Sequence, residues 1–95
     1  MSEQTSQAIR RRVVICNKKG LHARAAAKFV KTVNAHEAAV TVRRGDTETP
    51  GSSMLGLMML AAGPGCELEL SAEGGQAAAV LEALADLVAR RFDED

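Results

Sequence analysis

The run Cys66-Glu67-Leu68-Glu69-Leu70-Ser71-Ala72 alternates apolar and polar residues without a break. A two-residue period puts Cys66, Leu68, Leu70 and Ala72 on one face of a strand and Glu67, Glu69 and Ser71 on the other. A strand with one wet face belongs to an antiparallel sheet. The other strand patterns are also apolar on one face only, so the helices of this chain are expected on a single side of one sheet.

The remaining elements follow from residue type and punctuation. Arg11 to Cys16 reads as a strand around Val13, Val14 and Ile15, and Ala38 to Arg43 as another, with Ala38, Val40 and Val42 on one side. Gly45-Asp46 turns the chain into a short strand over Thr47 to Thr49. A first helix runs from Ala23 to Val33 or Asn34, with Ala26, Phe29, Val30 and Val33 at helical spacing. Small residues at Ala23, Ala26 and Ala27 suit a close approach to the sheet. Pro50-Gly51-Ser52 opens a second helix over Ser53 to Ala61, which Gly63-Pro64-Gly65 stops. The third runs from Gln76 to Arg91 behind a stripe of Val80, Leu81, Leu84, Leu87 and Val88. The order β-α-β-β-α-β-α predicts a two-layer α+β fold, a four-stranded antiparallel sheet with three helices on one face. At 95 residues the chain makes one domain. It is expected over residues 9–91, between a disordered tail (1–8) and an acidic C-terminal tail (92–95).

Composition narrows the function. Formal net charge is zero and the only aromatic residues are Phe29 and Phe92. That argues against a nucleic-acid partner, which calls for basic charge and stacking platforms. Cys16 and Cys66 are too few for a disulfide scaffold and lack metal-ligand spacing. Both read as small hydrophobes within strands, as reduced thiols, and no metal is expected. No apolar run is long enough for membrane insertion, and Met1 to Gln7 has no apolar signal core, so a cytoplasmic location is expected. Arg10-Arg11-Arg12 and Asp93-Glu94-Asp95 read as solvated ends, and His36 as a surface histidine.

His22 is the residue with chemistry to offer. Gly20 ends an extended stretch and Ala23 begins a helix, so the imidazole falls at a helix N-terminus. Unpaired backbone N–H groups and the positive end of the helix dipole favour an anion there. Arg24 supplies a charge-assisted contact to phosphate oxygens, and Lys18 and Lys19 a weaker attraction. A neutral imidazole is a nucleophile near pH 7, its unperturbed pKa being about 6.5. The phosphoramidate it forms is labile, as a group carrier requires.

The string Gly20-Leu21-His22-Ala23-Arg24, followed by Ala25-Ala26, resembles the active-site signature of the HPr family. These are the histidine-containing phosphocarriers of the bacterial phosphoenolpyruvate-dependent phosphotransferase system. Asn17-Lys18 looks more like the nitrogen-related branch of that family than the sugar-uptake branch. Downstream, Ser52-Ser53-Met54-Leu55-Gly56-Leu57-Met58-Met59-Leu60 is similar to the family's second-helix motif. The resemblance implies an open-faced β-sandwich and a phosphoryl carrier that is no stand-alone enzyme and needs no cofactor. It places the phosphohistidine, through Nδ1, at His22 and the assisting arginine at Arg24. It places regulatory phosphorylation by a dedicated HPr kinase/phosphorylase at Ser53, with Ser52 one residue out of register. Enzyme I is the implied donor, an enzyme IIA domain the acceptor, and a monomer the implied state. The chain departs from the pattern at Ala25, where the family usually has proline. Altered rigidity without loss of chemistry is expected there.

The second helix is apolar around its whole circumference. Leu57 and Leu60 are expected in the core, leaving Met54, Leu55 and Met58 as a partner-docking patch beside the histidine. Ser53 also suits a plain N-cap, though Gly56 stands where a capping box would need Glu or Gln. A regulatory module acting by phosphorylation-dependent binding in nitrogen or carbon signalling is the alternative function. The presence of both His22 and Arg24 favours the carrier.

Overall fold

A computed structural model describes residues 8–94. The disordered tail expected over residues 1–8 therefore lies outside the described residues, apart from an exposed Ala8. The elements are β1 (Ile9–Val14), α1 (Ala23–Asn34), β2 (Ala39–Arg44), β3 (Thr47–Pro50), α2 (Met54–Met59), β4 (Glu67–Glu73) and α3 (Ala77–Ala89). A short 3-10 turn, Arg91–Asp93, closes the chain. The strands form one antiparallel sheet in the order β1-β4-β2-β3. β4 and β2 are the inner strands, and in β4 Leu70 faces Arg11 on one side and Val42 on the other.

Alternation sorts the two faces of the sheet. Val13, Val40, Val42, Leu68, Leu70 and Ala72 are buried under the helices, and α3 adds Val80, Leu81, Leu84, Leu87 and Val88 to the same core. The open face carries charge instead. Arg43 donates to Glu69 at 2.6 Å, and Arg12 lies 3.7 Å from Glu67. Arg11, on the helix side, reaches Glu82 of α3 at 2.7 Å. Arg10, Arg11 and Arg12 sit on the edge strand β1, where charge discourages pairing with other chains.

Four expectations need correction. Cys16 lies beyond the end of β1 and is exposed, with Sγ donating to the Val88 carbonyl at 3.3 Å; Cys66 is partly buried against the core. The residues that bring α1 close to the sheet are Ala25 and Ala26, while Ala23 and Ala27 face out. A period of 3.6 residues explains this, since Ala25, Ala26, Phe29 and Val33 share a face that excludes Ala23 and Ala27. The second helix is shorter than expected, with Ser53 as its N-cap and Ala61 already at φ +53°.

The last correction concerns the chain end. Phe92 is completely buried in the core, where residues 92–95 read as an acidic tail. Arg91, Phe92 and Asp93 all have positive φ, a tight left-handed curl that folds the ring back into the core. Left-handed backbone costs about 1–2 kcal/mol per non-glycine residue. Burial of a phenylalanine side chain, roughly 1.5–3 kcal/mol, and the bond from Lys28 Nζ to the Phe92 carbonyl (2.7 Å) oppose that cost.

Candidate functional site

The loop between β1 and α1 is fixed before His22 is reached. Gly20 has φ +64°, and a Cβ there would lie 2.1 Å from the Ala62 carbonyl oxygen. Only glycine fits so close an approach. The same carbonyl accepts the Leu21 N–H at 3.0 Å, and Leu21 is buried. Asn17 is buried as well, and its Nδ2 donates to the Gly20 carbonyl at 2.9 Å. Both flanks of the turn are therefore anchored, and His22 emerges in a defined direction.

His22 is the N-cap of α1, in extended conformation, and its carbonyl accepts the first helical bond from Ala26 N–H at 2.8 Å. Its side chain caps no backbone N–H. The N–H groups at this helix start are thus left for an external acceptor, and no acidic residue occupies the first turn. His22 borders an open depression of about 840 Å³ lined by Lys18, Lys19, Ala23, Arg24, Lys28, Asp93 and Glu94. Arg24 is exposed and makes no hydrogen bond or ion pair among the described residues. Lys18, Lys19, Arg24 and Lys28, the last bonded to the Phe92 carbonyl, outnumber the carboxylates of Asp93 and Glu94 in this lining, and with the helix N-terminus they favour an anion.

Sequence reasoning missed Glu94. Its Oε2 is hydrogen-bonded to His22 Nε2, and its Oε1 accepts from Asn17 Nδ2 at 3.1 Å. The His22 and Glu94 side chains retain 26% and 21% of their exposure, so the contact is half-sheltered. Desolvation works against the charge on Glu94. Hydrogen bonds from Asn17 and His22, with attraction to His22 and Lys19, outweigh it and lower the carboxyl below its ordinary 4.5. A signal for this strap exists in the sequence. Phe92 is a large apolar residue stranded among charges after the last helix, and such a residue needs burial.

The second expected region lies at the start of α2 and along its exposed face. Ser53 caps α2, its Oγ accepting the Gly56 N–H at 3.0 Å, while Ser52 is exposed and lies outside the helix. A Cβ on Gly56 would fall 1.8 Å from Thr49 Oγ1, so the capping-box position is closed to larger residues by β3. Leu57 and Leu60 are buried, whereas Met54, Leu55 and Met58 are exposed, Leu55 at 69%. Met59, assigned no role from the sequence, is the most exposed of all at 72%. His36 is half-buried, its Nδ1 paired with the Thr32 carbonyl at 2.8 Å. No group of three or more metal-ligating side chains occurs among the described residues, and none of their helices is long and apolar enough to cross a membrane.

Comparison with known proteins bears on this arrangement. The profile of the PTS HPr component phosphorylation site matches residues 9–90. The chain is 47% identical over 83 residues to the phosphocarrier protein HPr of Pseudomonas aeruginosa, covering 86% of this chain and 92% of that protein. It is 42% identical over 86 residues to the phosphocarrier protein NPr of Shewanella violacea, covering 90% and 94%. Among solved structures, HPr-C-His from Thermoanaerobacter tengcongensis superposes with a TM-score of 0.87 at 34% identity, over 92% of this chain and 98% of that one.

Proposed function

We propose that this chain, which belongs to the HPr family of phosphotransferase-system phosphocarriers, carries its phosphoryl group on His22. HPr proteins move a phosphoryl group by way of a histidine and are not stand-alone enzymes. The observation that supports His22 is its position: an N-cap imidazole that caps nothing, at the edge of a depression where Lys18, Lys19, Arg24 and Lys28 outnumber Asp93 and Glu94. Phosphoryl transfer asks a protein for positioning and for charge stabilisation, and the helix start and the cations offer both.

In this reading phosphorylated enzyme I, charged from phosphoenolpyruvate, is the donor and a histidine on an enzyme IIA domain the acceptor. Arg24 holds the transferring oxygens. Met54, Leu55 and Met58 form an apolar docking surface, and Met59 extends it. A phosphoryl group on Ser53, added by an HPr kinase/phosphorylase, would put a dianion at the rim of that surface and weaken docking of an acidic donor. Asn17-Lys18 favours the nitrogen-related branch, and a cytoplasmic monomer completes the picture. Incubation with enzyme I, phosphoenolpyruvate and Mg²⁺ tests it. The chain should gain an acid-labile adduct and pass it to an enzyme IIA domain, and His22→Ala should do neither. An adduct that persisted in His22→Ala would reject the assignment.

A further inference from the structure

Glu94 stands 72 residues from His22 in the chain, yet the fold delivers it to the ring. The delivery is built. Phe92 anchors the segment in the core, and Lys28 Nζ holds the Phe92 carbonyl at 2.7 Å. Asn17, 2% exposed, donates to both the Gly20 carbonyl and Glu94 Oε1, tying the carboxylate to the loop that presents the histidine. One carboxylate oxygen thus meets the loop and the other meets His22 Nε2.

We propose that Glu94 is a positioning residue for phosphoryl transfer, accepting the Nε2–H of His22 and holding the ring in the tautomer whose lone pair is on Nδ1. The proposal rests on His22 being the phosphoryl carrier. An ionised carboxylate only accepts hydrogen bonds, so the nitrogen it meets must carry the proton. The other nitrogen of a neutral imidazole then bears the lone pair, and Nδ1 has no hydrogen-bond partner among the described residues. A carboxylate that fixes the tautomer and orientation of an imidazole is an established device in other histidine sites.

The step balances without an added proton acceptor. The Nδ1 lone pair forms the new N–P bond. The bond from phosphorus to the donor nitrogen of enzyme I breaks, and its electron pair stays on the donor. The Nε2 proton remains between the ring and Glu94, whose negative charge faces the positive charge that develops on the phosphorylated ring. Onward transfer returns the N–P electron pair to Nδ1.

The test uses the full chain with ¹⁵N-labelled histidine, at a pH where the spectrum shows a neutral ring. Wild type should show His22 as the Nε2–H tautomer. Glu94→Ala should give a mixture, and Glu94→Gln should keep the wild-type form because its amide oxygen accepts the same N–H. Single-turnover transfer from phosphorylated enzyme I should fall about tenfold or more in Glu94→Ala, the scale on which losing a histidine's outer partner acts. KM for enzyme I should stay unchanged. A wild-type Nδ1–H tautomer, an unaltered tautomer ratio in Glu94→Ala, or faster transfer in that variant would overturn the proposal. If wild-type His22 took no phosphoryl group, the carrier reading and the proposal would fall together. A phosphorylated wild type with an indifferent Glu94→Ala would overturn the proposal alone.

Discussion

The two helices α1 and α2 touch, yet they begin in opposite ways. α2 starts with Ser53, whose side chain satisfies the Gly56 N–H. α1 starts with His22, whose side chain satisfies none of its helix's N–H groups and turns to Glu94 instead. Serine is among the strongest N-caps, and histidine is not one of the preferred residues. The helix start that forgoes a cap is the one surrounded by cations, and the capped one is surrounded by exposed methionine and leucine. One terminus leaves its N–H groups without a side-chain cap, and the other closes itself beside an apolar surface.

The contrast can be broken at its glycines. Gly20 and Gly56 both let a helix start lie against a neighbouring segment. Gly20→Ala adds a Cβ within 2.1 Å of the Ala62 oxygen at φ +64°, which should cost about 2–5 kcal/mol of stability from backbone strain and overpacking together. Denaturant unfolding checks this, and a loss below 1 kcal/mol would mean that the loop holding His22 is not fixed as described. A smaller effect tests the open terminus. Arg24→Ala should slow phosphoryl acceptance roughly 10–100-fold, below the usual cost of a lost preorganised donor because Arg24 is exposed. Its stability should be unchanged. The capped terminus should answer the other way. Ser53→Ala should lose about 1 kcal/mol and leave the rate of phosphoryl acceptance at His22 as it was.

The smallest effect is on pH dependence. The Glu94 carboxyl is lowered from its ordinary 4.5, with desolvation opposing and the Asn17 and His22 bonds prevailing. A group lowered in this way contributes stability that is fully present above its unfolded value and is lost as pH falls through its folded value. The stability gap between wild type and Glu94→Ala should therefore be full at neutral pH and shrink in acid. A thermal-unfolding series in which the gap stayed undiminished after the carboxyl had been titrated would contradict the contact.

Local patterns made much of this legible before any coordinates. The alternation over Cys66–Ala72 marked an antiparallel strand with one buried face, and the stripe from Val80 to Val88 marked the buried face of α3. His22 and Ser53 could be placed at helix starts from local residue type and spacing, while the roles proposed for them and for Arg24 rest on the family resemblance. What stayed hidden was long-range. Glu94 meets His22 and Asn17 across more than seventy residues; Phe92 signals that the segment folds back, but nothing local says which partners Glu94 meets. The left-handed curl at Arg91, Phe92 and Asp93 contains no glycine to mark it. The phase of α1 was misread because alanine is so common there that size alone could not tell Ala25 from Ala23 or Ala27.

The most direct test of the central claim locates the phosphoryl group itself. After charging with enzyme I and phosphoenolpyruvate, ³¹P and ¹⁵N NMR of the full chain should show a single phosphoramidate on Nδ1 of His22, lost on acidification and absent from His22→Ala. A phosphoryl group on any other residue, or on Nε2 in place of Nδ1, would contradict a site in which α1 leaves its start open and Glu94 holds the far side of the ring.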